Sequence, residues 1–138
     1  MSLILFHNPR CSKSRETLAL LEQRHIYPKI ELYLQNTYTP AELQHLADKL
    51  GISDVRQMMR TKDALYGELG LDNPNLSQEA LLQAISRHSS LLERPILING
   101  NKAKIGRPPE SVLAILGNYF RPHFEERDEL TACSVKTD

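Results

Sequence analysis

The chain opens with a strand, a helix and a second strand in quick succession, and that order leaves little topological freedom. Leu3-Ile4-Leu5-Phe6 is a continuous apolar run, as expected of a strand buried on both faces. From residue 12 to about residue 24 the pattern turns helical, with Leu18 and Leu21 on one side. Pro28 then opens a second extended run, residues 29–34, in which Ile30, Leu32 and Leu34 alternate. A helix between two such strands is a crossover, so the strands are expected to be parallel and the connection right-handed.

The middle of the chain is helical. Thr39, Pro40 and Glu42 stand as N-cap, N1 and N3 of a capping box. Leu43, Leu46, Ala47 and Leu50 follow at helical spacing, and Gly51 supplies the stop. Residues 54–66 read as a less regular helix, and "GLDNPNLS" as a loop. Ser77 caps a further helix to about residue 87, with Leu81, Leu82 and Ile85 inward. The pattern then changes. "RPILINGNKAKIGRPPE" holds two extended runs joined by Asn99-Gly100, a strong hairpin signal. Pro108 and Pro109 open a closing helix with Val112, Ile115 and Leu116 as its apolar stripe, ending at Gly117.

A parallel pair plus an antiparallel hairpin gives an α/β fold with a four-stranded mixed sheet. The expected architecture is thioredoxin-like, with residues 40–88 as an all-helical insertion. Residues 1–117 form the domain, and the polar residues 118–138 a C-terminal tail.

Lys plus Arg and Asp plus Glu number 17 each, so the formal net charge is zero. Such a chain has no global electrostatic attraction for nucleic acid or an anionic membrane. No apolar run is long enough to span a bilayer, and the N-terminus lacks a basic region followed by an apolar signal core. His25, His45, His88 and His123 are scattered without metal-ligand spacing, so no metal site is expected, nor any bound cofactor. With only two cysteines, Cys11 and Cys133, the chain is no disulfide scaffold. The expectation is a cytoplasmic protein with reduced thiols, acting as a monomer.

Cys11 falls where the first strand gives way to the first helix. Free backbone amides and the positive end of the helix dipole favour a thiolate there, and Arg10, Lys13 and Arg15 add positive charge. A dithiol oxidoreductase would read C-x-x-C, but the fourth residue is Ser14. The tyrosine-phosphatase pattern requires Arg six positions on, where Thr17 stands. Cys11 can therefore attack but has no neighbouring thiol to resolve the product, and an external thiol is needed. Cys133, in the tail, is read as incidental. His7 and Asn8 either orient the thiolate or turn the chain. Ser12 and Ser14 cap backbone donors, with Ser14 also placed to hydrogen-bond the thiolate, and Arg15 is a solvated helix residue.

Five motifs in order resemble the ArsC family of glutathione- and glutaredoxin-dependent arsenate reductases. They are "FHNPRCSKSRETL" with Cys11, "LYLQNTYTPAEL", "GISDVRQMMRTKD" with Arg60, "LLERPILI" with Arg94, and "GRPPESVLAIL" with Arg107. The resemblance implies that Cys11 attacks arsenate to form a thiol-arsenate adduct. It implies that Arg60, Arg94 and Arg107 bind the oxyanion, and that Pro95 is the cis-proline facing the cysteine. Glutathione is then the co-substrate that resolves the adduct, and glutaredoxin the partner that restores the thiol. Arginine suits such a ligand because its fork donates two parallel hydrogen bonds and keeps its charge.

Two other functions share these features. A glutathione-dependent thiol reductase for another substrate would also carry C-x-x-S, though it would not need all three arginines. Spx-type regulators share the fold and bind RNA polymerase, but carry C-x-x-C as a redox switch, against which Ser14 counts.

Overall fold

The structure, a computed structural model, describes residues 3–116. The tail and Cys133 lie outside them.

Four strands form one mixed sheet in the order β2-β1-β3-β4. The strands are β1 (Leu3–Phe6), β2 (Lys29–Glu31), β3 (Ile96–Asn99) and β4 (Lys102–Ile105). β1 pairs in parallel with β2 and antiparallel with β3, which pairs antiparallel with β4. The helices are α1 (Ser12–Gln23), α2 (Pro40–Leu50), α3 (Ala64–Glu68) and α4 (Gln78–Arg87).

Alternation along the central strands divides the core into two layers. Leu3, Leu5 and Leu97 face α1 and the closing turn, packing on Leu21, Ile26, Val112 and Leu116. Phe6, Ile96, Ile98 and Ala103 face the helical block, packing with Leu43, Leu46, Leu81 and Ile85. A sheet covered on both faces explains why β1 and the Ile96-Leu97-Ile98 run of β3 are apolar throughout, while the edge strand β4 alternates. The α2 capping box forms as its residues require: Glu42 N donates to Thr39 Oγ1 at 3.1 Å, and Thr39 N to Glu42 Oε1 at 2.9 Å. Gly51 ends the helix at φ 72°, the left-handed conformation glycine adopts without penalty.

Four expectations need correction. The second strand stops at Glu31, because a 3-10 turn over Tyr33–Gln35 breaks the alternation. Ile30, Leu32 and Leu34 are exposed on this edge, and Tyr33 is the residue that turns inward, stacked on Phe6 at 6.1 Å. Residues 54–66 form no single helix. Asp54 caps a 3-10 turn over Val55–Met58, Met59 bridges to Leu92, and Asp63 caps α3 anew. In the hairpin, Asn99 is still paired, with Lys102, so the two central residues are Gly100 and Asn101. Gly100 takes φ 62° at the first central position, where a II′ turn requires glycine. Finally, the closing helix is a 3-10 helix, Pro109–Ile115, with Val112 and Leu116 buried but Ile115 only partly so.

Candidate active site

The sheet's register determines where the site forms. Phe6 pairs with Ile96, and Ile96 with Ile105, so the ends of β1 and β4 and the start of β3 lie together. The residues just beyond those ends are His7 to Cys11, Arg94-Pro95 and Gly106-Arg107. Arg94-Pro95 and Arg107-Pro108 are both cis peptides.

Arg60 reaches the same place by another route. The bridge between Met59 and Leu92 is clamped by two backbone bonds, Arg60 N to Leu91 O and Glu93 N to Met58 O, both 2.8 Å. One strand-like step thus carries Arg60 out of the helical block to the side of Glu93 and Arg94. All three arginines line one cleft of about 370 Å³, with Thr61, Lys62, Asp63 and Glu93. The convergence that sequence could not show is present.

Their charges are partly answered from within. Arg60 Nη1 lies 3.2 Å from Asp63 Oδ2. Glu93 Oε1 lies 3.2 Å from Arg94 Nη1 and 3.5 Å from Arg107 Nε. Arg107 Nε also donates to the Arg94 carbonyl at 2.9 Å. Arg94 Nε is buried with no hydrogen-bond partner among the described residues.

Cys11 is not itself a lining residue of that cleft, but Arg107, which is, directs Nη2 at its Sγ from 3.6 Å. Cys11 is the N-cap residue of α1. Burial pushes its pKa up, but the Ser14 amide, Arg94, the Lys13 amide and Arg107 outweigh that and hold the thiol below its ordinary value of 9.0. Arg94 acts more strongly than Arg107 although Arg107 makes the contact. The Arg94 side chain is only 17% exposed against 34%, so its field is less screened. Arg60 lines the same cleft beside Thr61, Lys62 and Asp63.

The supporting residues are placed by one hydroxyl. Ser14, fully buried, accepts the Asn8 amide at 3.0 Å and lies 2.6 Å from His7 Nδ1. Burial, and then Arg15, keep the His7 pKa below its ordinary value, so the imidazole is neutral near pH 7. The Ser14 hydroxyl thus caps a backbone donor and holds the loop, while its backbone amide is the Ser14 group directed at the sulfur. Asn8 Oδ1 accepts the Arg10 amide at 3.0 Å, and the Cys11 amide donates to the Asn8 carbonyl at 2.9 Å. Arg15 also does more than expected of a solvated residue, donating to the Pro9 carbonyl at 2.9 Å.

Two contributors escaped sequence reading. Tyr33 lies beneath the site; burial raises its pKa, while Arg94 and Arg60 oppose the rise. Gly106 is the other. A Cβ there would meet Thr17 Oγ1 at 2.7 Å and Pro95 Cγ at 2.9 Å, so only glycine lets α1 and the Arg94-Pro95 segment close together. The one available signal was a glycine directly before Arg107.

Among the described residues, no group of three or more His, Cys, Asp or Glu is placed to hold a metal ion. No described helix is long and apolar enough to cross a membrane.

Comparison with known proteins gives a consistent answer. The model of the ArsC family matches residues 6–115. A Haemophilus influenzae protein named arsenate reductase is 70% identical over 116 residues, which is 84% of this chain and all of that one. A Neisseria meningitidis protein of the same name is 54% identical over 112 residues, 81% of this chain and 96% of its own. Among solved structures, an arsenate reductase from Vibrio cholerae superposes with a TM-score of 0.81 at 50% identity, covering 84% of this chain and 98% of that one.

Proposed function

The chain belongs to the ArsC family, and from that membership we propose that it is an arsenate reductase of the glutaredoxin-coupled kind. The observation that carries the reading is the meeting of a thiol held below its ordinary pKa with an arginine-lined cleft, joined by the 3.6 Å approach of Arg107 to Cys11.

Arsenate, a doubly charged oxyanion near neutral pH, enters the cleft and takes its hydrogen bonds from Arg60, Arg94 and Arg107. Their charge offsets the repulsion between an anion and an approaching thiolate. Cys11 Sγ attacks arsenic; the sulfur–arsenic bond forms and one oxygen, having taken up protons, leaves as water. Arsenic is still pentavalent at this point. Glutathione, as thiolate, then attacks Cys11 Sγ. The sulfur–arsenic bond breaks with its electron pair going to arsenic, which leaves as arsenite. Cys11 is left in a mixed disulfide with glutathione. Each thiol has given one electron, and the two-electron reduction balances. Glutaredoxin removes the glutathionyl group by thiol–disulfide exchange, which restores Cys11.

This cycle requires a reducing, thiol-rich compartment, in keeping with a cytoplasmic protein working as a monomer on soluble partners. Nothing in the site favours a thiol reductase without an oxyanion, because such an enzyme has no use for three converging arginines. Nor does Ser14 in place of a second cysteine favour a disulfide-switched regulator.

The test is turnover. Purified protein, arsenate, glutathione, glutaredoxin and glutathione reductase are mixed, and NADPH loss is followed beside Cys11→Ser. Arsenate-dependent loss in the wild type and none in the variant is expected. No arsenate dependence, or equal loss in the variant, overturns the reading.

A further inference from the structure

A carboxylate in an anion cleft calls for a reason. Glu93 lines the cleft between two of its arginines, and its like charge lowers affinity for every anion that enters. The cleft's second carboxylate, Asp63, has both oxygens engaged: Oδ2 with Arg60 at 3.2 Å and Oδ1 with the Leu65 amide at 2.9 Å. Glu93 is different. Oε1 serves Arg94 and Arg107, while Oε2 takes no hydrogen bond among the described residues. The side chain is 26% exposed and lines the cleft. Its backbone is fixed by the bond from Glu93 N to Met58 O at 2.8 Å. Close by, Arg94 Nε is a buried donor without a partner among the described residues. The cleft therefore offers an unanswered acceptor beside its donors.

We propose that Glu93 determines which oxyanions the cleft accepts, taking a hydrogen bond from the protonated oxygen of the ligand and repelling dianions that have none. Arsenate and phosphate near neutral pH each keep one O–H beside their charged oxygens. Such an ion satisfies the arginine donors and the Glu93 acceptor together. Sulfate carries the same charge with no proton to donate, and sets a lone pair against the Glu93 lone pair. Leaving a polar group of the site unpaired is what makes such discrimination steep. This inference rests on the oxyanion reading of the cleft but adds a property which that reading does not require.

Binding, without turnover, tests it. The full chain is titrated calorimetrically with phosphate, arsenate and sulfate near pH 8 in the absence of any reductant, alongside Glu93→Gln and Glu93→Asp. The wild type is expected to bind phosphate and arsenate roughly tenfold or more tighter than sulfate, the worth of one hydrogen bond to a charged group. Glu93→Gln removes the charge and gives sulfate a donor, so its ratio falls about tenfold, mainly through tighter sulfate binding. Glu93→Asp keeps the charge, withdraws the oxygen and gives an intermediate ratio. Equal wild-type affinity for sulfate and phosphate, or a wild-type ratio in Glu93→Gln, overturns the proposal. If Glu93→Gln does not fold, a wild-type ratio in Glu93→Asp overturns it instead. Discrimination that survives in a protein with no arsenate turnover faults the reductase reading alone. Normal turnover with an unchanged ratio faults only the role of Glu93.

Discussion

The thiol side and the arginine side of the cleft are built by different means. Around Cys11 the chain relies on backbone and burial: the amides of Ser14 and Lys13 favour the thiolate, and buried Ser14 ties His7 to Asn8. Around the arginines it relies on side chains that remain partly exposed and are steadied by Asp63 and Glu93. A substitution other than to proline leaves a backbone amide in place, whereas a guanidinium is removed by any change of side chain. Thiol activation should therefore be robust to point changes, and anion binding fragile.

The largest break in that contrast comes from Arg94→Ala or Arg107→Ala. Each removes a charged, two-pronged contact worth about 2 kcal/mol or more, a loss of tens-fold in kcat/KM measured at subsaturating arsenate. Full activity in either variant removes that residue from the oxyanion site. Gly106→Ala strikes the joint between the two sides. Its new methyl group forces Thr17 and Pro95 apart, and overpacking of this kind costs roughly 1–3 kcal/mol in urea unfolding. A drop in arsenate turnover is expected to accompany it, because Arg107 is the next residue. Unchanged stability would mean that the two sides are not packed as tightly as the contact distances indicate.

The smallest effect discriminates best. The rate of Cys11 alkylation by iodoacetamide should titrate with a midpoint below the ordinary 9.0, because the folded site favours the charged form. Lowering the pKa keeps the thiolate populated as pH falls, so reactivity persists at pH values where a free thiol is protonated. Arg94→Ala should raise the midpoint only in part, since the amides of Ser14 and Lys13 and the Arg107 guanidinium remain to oppose burial. A variant midpoint at or above the ordinary value would show that the amides do not hold the thiolate without Arg94, and the contrast between the sides would fail.

Legibility in the sequence followed the same division. β1, α1, the α2 capping box and the Ser77 cap were readable because each depends on neighbours within about one helical turn. Cys11 was readable for the same reason, since its setting is a strand end and a helix start. Tyr33 was not, because the edge strand ends in a 3-10 turn that reverses which residue points inward. Arg60 was unreachable from local pattern: its position depends on a single bridge between Met59 and Leu92. Family resemblance named Arg60, Arg94 and Arg107, but only the fold shows that they meet, and that Glu93 stands among them. Gly106 looked like an ordinary loop glycine. Its constraint is a close approach to Thr17 from a distant helix, which no local rule contains.

The central claim is that one lone thiolate in an arginine cleft and one outside thiol together supply the two electrons that reduce arsenic. A single-turnover experiment tests it most directly. The protein is mixed with excess arsenate and glutathione but no glutaredoxin, quenched with acid, and analysed by intact mass and by arsenite quantification. One arsenite per chain and one glutathionyl group on Cys11, both absent without arsenate, is the predicted result. Arsenite formed in molar excess over chains, or formed while Cys11 stays unmodified, would contradict it.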